Sequence, residues 1–155
     1  MKLKIATRVV LVALAAGPLT AEAACIQTGR LTGTVIATKV QGNYVCSVKN
    51  NNKWNELHTI VDATSGLVLD FKKGPLDPVD PSATPAHPTG TYSIAGGAGV
   101  GTITYTYGDP QGPYTYSVRP VGFSVTQFEF CNVSTFETFA ITVGTAPTPN
   151  PVACP

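Results

Sequence analysis

Trp54, Glu56 and His58 stand two residues apart, so an extended chain puts all three side chains on one face. A carboxylate beside an imidazole is the minimum for acid–base work, because each adjusts the other's proton affinity. Beyond the turn residues Thr64-Ser65-Gly66, Asp70 and Lys72 repeat the same spacing. A hairpin would therefore gather Glu56, His58, Asp70 and Lys72 on one polar surface. No nucleophile or oxyanion donor accompanies them, and exposed strands routinely carry opposite charges across from each other. A solvated face is the expectation, and no residue is assigned a catalytic role.

The same stretch continues with Lys72-Lys73-Gly74 and Asp77-Pro78-Val79-Asp80-Pro81. A phosphate-binding loop needs several glycines and a following helix, and neither is present. Two carboxylates are too few for a hard cation such as calcium, and Asp before Pro is equally a turn former. No metal site is assigned. Positions 53–80 nonetheless hold eight charged residues, the single Trp and one of the two His. Trp54, Glu56, His58, Asp70, Lys72, Lys73, Asp77 and Asp80 are accordingly the expected binding surface. The other histidine, His87 between Ala86 and Pro88, is expected in a solvated loop.

The elements that must position these residues follow a period of two. Thr102 to Tyr107 sets Ile103, Tyr105 and Tyr107 on one face and three Thr on the other. Pro113 to Val118 repeats the pattern, followed by Phe123 to Phe130 and Phe136 to Val143. Earlier runs are Leu31 to Lys39, Asn43 to Val48, Trp54 to Val61, Leu67 to Lys72 and Thr91 to Ala95. β-Branched and aromatic residues dominate them, with turn signals every eight to twelve residues. The pattern predicts an all-β fold, an antiparallel meander or small barrel, with the tyrosine rows in its core and no helix. One connection, Lys73 to Thr89, holds five Pro and should be a long irregular loop.

Residues 1–23 read as a secretory signal peptide: Lys2, Lys4 and Arg8, an apolar Val9–Ala16, then Ala21-Glu22-Ala23. Glu22 occupies the position where a lipobox before Cys25 needs an aliphatic residue, which argues against a lipid anchor. Residues 24–155 form one expected domain with seven basic and eight acidic residues, a net charge of 7 − 8 = −1. That balance excludes the basic stripe nucleic-acid binding requires, and no second apolar run could span a membrane. Cys25, Cys46, Cys131 and Cys154, an even number in an exported chain, predict two disulfides rather than a metal site. Of three connectivities, Cys25–Cys46 with Cys131–Cys154 is favoured. Each closes a loop of about 20 residues, worth roughly 3 kcal/mol, and Cys154 would tie down the Pro-rich tail 145–155. Asn132-Val133-Ser134 fits an N-glycosylation pattern to which no function is attached.

The order Gly42-Asn43-x-Val45-Cys46, then Trp54-x-Glu56-x-His58, then Asp70-Phe71-Lys72-Lys73-Gly74-Pro75-x-Asp77-Pro78-x-Asp80-Pro81 resembles a group of small exported proteobacterial proteins. Gly90-Thr91-Tyr92, Phe130-Cys131 and Cys154-Pro155 extend the likeness over most of the chain from Gly42 onward. Some members of that group are labelled surface-attachment proteins, and no catalytic residues carry over from it. The Gly-Thr-aromatic opening of a strand also looks like lipocalin and avidin barrels, which by analogy implies a ligand-holding interior. The expected function is a non-catalytic binding protein of the periplasm, cell surface or medium, without a cofactor. Its partner would be a small ligand, a glycan or a surface component. The alternatives are a surface-attachment or matrix protein, and an envelope-polymer hydrolase using Glu56, His58 and Asp70.

Overall fold

The computed structural model describes residues 29–49, 52–70, 87–108, 110 and 112–145. Eight antiparallel strands follow one another round a closed barrel. They are β1 (Asn43–Lys49), β2 (Asn52–His58), β3 (Ser65–Asp70), β4 (Gly90–Ala95), β5 (Thr102–Thr106), β6 (Tyr114–Pro120), β7 (Gln127–Asn132) and β8 (Thr138–Thr145). Each pairs with its sequence neighbour, and β1 closes the ring on β8 through Asn43↔Thr145 to Ser47↔Ile141. The expected all-β meander is thus a barrel. Short turns between alternating segments leave each strand no cheaper partner than the one beside it.

The inward positions carry the core: Val45, Val68, Tyr92, Ile94, Ile103, Tyr105, Val118, Phe128, Phe130, Ile141 and Val143. The outward positions are mostly Thr, Ser and charge, as in the exposed or half-buried Thr91, Ser93, Thr102, Thr104 and Thr106. Eight strands enclose an interior that side chains fill or that holds one small ligand. At one end it is filled.

That end is filled by a helix the sequence did not predict. Residues 31–39, expected as a strand, instead form α1 (Gly33–Val40). Its β-branched residues favour strands, but Gly33, Ile36 and Val40 lie on one helical face and all are buried. Thr32 caps it by accepting a hydrogen bond from the Val35 N–H at 3.3 Å. Burial of Ile36 and Val40 against the strand interiors outweighs local propensity, which is worth only tenths of a kcal/mol per residue.

The helix sits this close because of two glycines. A Cβ on Gly33 would lie 2.5 Å from the Ala95 carbonyl oxygen and 2.9 Å from the Gly97 nitrogen, and one on Gly101 would strike the Gly33 backbone. The turns at the helix end leave apolar side chains outside: Ile60, Val61, Val100, Val121, Val125 and a wholly exposed Phe123. No helix among the described residues is long and apolar enough to cross a membrane.

Cys46 and Cys131 are buried on the outer wall, on β1 and β7, with β8 between them. Cys25, Cys154, the signal-peptide residues and most of the Lys73–Thr89 loop lie outside the described residues.

Gly101→Ala should push α1 off the barrel end and cost about 1–3 kcal/mol. Gly144→Ala, with nothing within 4 Å of its new Cβ, is the matched control. Urea denaturation of both variants checks this; equal midpoints would mean that the close approach is not needed.

Candidate functional site

The hairpin puts Glu56 opposite Asp70 and His58 opposite Val68, on one face as expected, but Ser65 and Gly66, expected as its turn, are the first residues of β3 and pair with β4. Its polar face, however, is the inside of the barrel. The outward positions are Leu67, half-buried, and Leu69, buried. Val68 belongs to the core, so Glu56 and His58 point inward with it. The expectation of a solvated face is corrected by closure: Gly66 and Val68 leave room inside for the Tyr92 ring, which lies against Gly66, whereas Leu67 and Leu69 would not.

His58 is completely buried. Its Nε2 lies 2.9 Å from the Tyr105 hydroxyl and its Nδ1 3.2 Å from the Glu56 carbonyl oxygen. A carbonyl only accepts, so Nδ1 carries the proton and Nε2 accepts from Tyr105. The rings of Tyr92 and Tyr105 meet the imidazole edge-on, with centroids 5.0 and 5.4 Å away. Burial pushes the His58 pKa down to about 4, only partly opposed by the hydrogen bond to Glu56. This is a neutral group with both nitrogens engaged and no access for a substrate. It is a strut rather than a catalytic base.

A second strut lies one layer nearer the opposite end. The Tyr107 hydroxyl donates to Glu56 Oε1 at 2.7 Å. Tyr105 and Tyr107 stack at 5.9 Å, almost parallel. Burial, followed by the negative charge of Glu56, raises the pKa of both tyrosines, so both stay protonated donors. The same carboxylate also raises Tyr116, after burial and against the hydrogen bond from Asn132.

Around this layer the described inward side chains at the end away from α1 include Tyr114 and Tyr116 on β6, Asn132 on β7 and Phe139 on β8. Tyr116 meets Phe139 edge-on at 5.4 Å, and Tyr107 lies 6.3 Å from Tyr114. Glu56, Tyr107, Tyr114, Tyr116 and Phe139 are all half-buried, whereas Ile36, Ile103, Val118 and Phe128 at the plugged end are closed off. An inward side chain of a closed barrel with one end plugged reaches solvent through the other. Among the described residues, the interior away from α1 is thus lined by half-buried aromatic rings with one carboxylate, Glu56.

The tyrosine rows belong to the core as expected, with Tyr105 inside it and Tyr107 and Tyr116 packed against it, but their partial exposure at one end was not expected. The available signal was hydroxyl-bearing rings, rather than aliphatic residues, at alternate inward positions. Trp54 and Asp70 hold strand positions facing Ser47 and Glu56 across the ladder, but their side chains lie outside the described residues. Lys72, Lys73, Asp77 and Asp80 lie wholly outside them. His87 is exposed, as expected. Asn132 is buried, and its Oδ1 accepts from the Ser134 and Thr135 N–H groups, so it builds the β7–β8 turn at the end away from α1. Phe136 in that turn has φ of 59°, a conformation costly for a bulky residue.

One rival concavity, of about 300 Å³, lies on the outer wall against Leu67, Thr91, Thr104 and Thr106. It has no titratable lining apart from Tyr92, whose hydroxyl already donates to the Thr59 carbonyl.

An unfolded imidazole takes up its proton near pH 6.5, and His58 in the fold only near pH 4. Between those values the unfolded chain binds more protons, so stability should fall as the pH is lowered. The loss from this group is on the order of 3 kcal/mol by pH 4. Urea midpoints at pH 7 and pH 4.5 should differ more for the wild type than for His58→Gln. An identical difference in both proteins would contradict the assignment.

Comparison with protein-family models, with curated proteins and with solved structures finds no match for this chain. The likeness to small exported proteins therefore stands on the quoted motif residues alone.

Proposed function

We propose that this is an exported, non-catalytic binding protein of the bacterial envelope or surface that holds a small ligand in the mouth of its barrel. The carrying observation is the asymmetry of the interior: sealed beside α1, and lined by half-buried aromatic rings with one described carboxylate at the other end. A rigid, preformed, largely apolar concavity with a few fixed polar groups is what small-molecule sites look like. Buried His58 supports binding over hydrolysis, because the reading that used it as a base needs it within reach of substrate.

Export rests on residues 1–23, with cleavage after Ala23, and a processed chain purified from the periplasm or medium should begin at Ala24. Cys46 and Cys131 are proposed to be stapled to Cys25 and Cys154 rather than to each other. Strands two places apart in a sheet are about 9.6 Å apart, beyond the Cα separation a disulfide tolerates. Their burial on the outer wall fits a staple to a flanking segment. Both Cys25–Cys46 with Cys131–Cys154 and Cys25–Cys131 with Cys46–Cys154 satisfy this condition, and non-reducing peptide mapping separates them.

A second reading, attachment to surfaces, is favoured by the exposed Ile60, Val61, Val100, Phe123 and Val125 on turns at the plugged end. The two readings use opposite ends of the molecule, so one pair of variants tests both. A neutral apolar fluorophore, N-phenyl-1-naphthylamine, should brighten on binding the wild type. Tyr107→Ala should weaken that binding at least tenfold, and Phe123→Ser should leave it unchanged. The mouth is not the site if Phe123→Ser abolishes binding while Tyr107→Ala, still folded by circular dichroism, retains it.

A further inference from the structure

We propose that the plugged end of the barrel docks on a lipid bilayer, with the side chains of its turn tips entering the apolar layer. This rests on the attachment reading and names its surface, and it is independent of any ligand held inside the barrel. Among the described residues, seven of the eight exposed large hydrophobic side chains stand at this end, and only Val133 stands at the other. They lie on α1 and on the connections β2–β3, β4–β5 and β6–β7, with Phe123, Val125, Val100, Val61 and Ile60 the most exposed. A concentration of apolar groups on one end of a molecule marks an interaction surface.

The form of the tips favours lipid over a folded partner. The apolar groups sit on three separate turns, and Phe123 is wholly exposed, so its ring stands clear of its own turn. A protein would have to offer each tip a shaped pocket, whereas fluid acyl chains close round protrusions of any spacing. A tip entering that layer must answer its own backbone groups, since no water is there to do so. These tips bond to themselves. The Val121 N–H donates to the Gln127 carbonyl and the Ser124 N–H to the Val121 carbonyl, while the Ser124 hydroxyl accepts from the Thr126 and Gln127 N–H groups. In the β2–β3 connection the Val61 and Asp62 N–H groups donate to the Ser65 carbonyl, and the Asp62 carboxylate accepts from Thr64 and Ser65. Between β4 and β5 the Gly99 N–H donates to the Gly96 carbonyl.

The described charges near this end do not select an anionic surface. Arg30 and Arg119 are held by Glu129 at 3.8 and 2.7 Å, and Lys39 in the last turn of α1 is opposite in sign to Asp62 on the β2–β3 connection. Attraction therefore comes from apolar area, which salt does not screen. The chain's own apolar run points the same way. The Leu31 N–H donates to the Val118 carbonyl and the Leu31 carbonyl accepts from the Gly101 N–H, so residues 1–28 join the barrel at this end. Twelve residues, 17–28, separate Val9–Ala16 from Gly29, a reach of roughly 45 Å at most. A bilayer that takes up that run lies within reach of the tips.

The probes are vesicles of phosphatidylcholine, alone or mixed with phosphatidylglycerol, and the protein without residues 1–23 is followed by flotation. It should float with both kinds, and high salt should change the partitioning less than about twofold. Phe123→Ser should lower partitioning at least fivefold while circular dichroism reports a folded barrel. The double variant Ile60→Ser, Val100→Ser should do the same from the other two tips, and Val133→Ser should leave partitioning unchanged. Phe123→Trp should add emission beyond that of Trp54 that shifts to the blue on vesicles and is quenched by brominated lipid. Absence of flotation with phosphatidylcholine, or binding that needs phosphatidylglycerol and is lost in salt, would overturn the proposal. Self-association abolished by Phe123→Ser, with no vesicle binding, would overturn it in favour of a second copy of the chain. Adhesion to solid surfaces that Phe123→Ser removes, again with no vesicle binding, would keep the attachment reading and reject lipid as its surface.

Discussion

Two hydrogen bonds across the barrel interior, Tyr105 to His58 and Tyr107 to Glu56, tie β5 to β2 over the intervening β3 and β4. A closed sheet with an imidazole and a carboxylate on its inner wall would be unstable if either were left without partners, since a buried unsatisfied polar group costs about 1–3 kcal/mol and a charge more. Here the tyrosines supply hydroxyls where aliphatic residues would supply only volume. The rings fill the space and the hydroxyls answer the polar groups, so one residue type meets two needs. The stacking of Tyr105 on Tyr107 fixes the spacing between the layers.

From that constraint follows the division of the interior. Toward α1 the inner residues are mostly Val, Ile and Phe, with Tyr92 bonded to the Thr59 carbonyl, and they are packed to exclusion of solvent. The plug is possible because Gly33 and Gly101 let backbone meet backbone at the barrel end. Away from it, a ring of half-exposed aromatics faces outward past Glu56.

The strands were legible because period-two alternation and Gly, Pro and Asn turns are local signals. The order and limits of β1 and β4 to β6 follow the sequence pattern within two residues, whereas the β2–β3 connection runs over 59–64 and not over Thr64-Ser65-Gly66. Which face of that hairpin turns inward was not legible. Leu67 and Leu69 argue for one side by hydrophobicity, and only the bulk of Tyr92 packed against Gly66 decides for the other. That is information from a strand some 26 residues downstream. The helix was hidden for a similar reason: Thr, Val and Ile between positions 32 and 40 favour extension, and a barrel end with room for Ile36 and Val40 exists only once eight strands have closed.

Closure also limits how this chain can join others. With β1 bonded to β8, the ring presents no free rim of backbone N–H and C=O groups along its strands. Polymerising by lending or borrowing a strand, a common way for exported β-proteins to build fibres, would first require a seam of the ring to be unzipped. Among the described residues, an assembly made without that rupture is built from side chains: the threonine-rich wall or the oily turn tips.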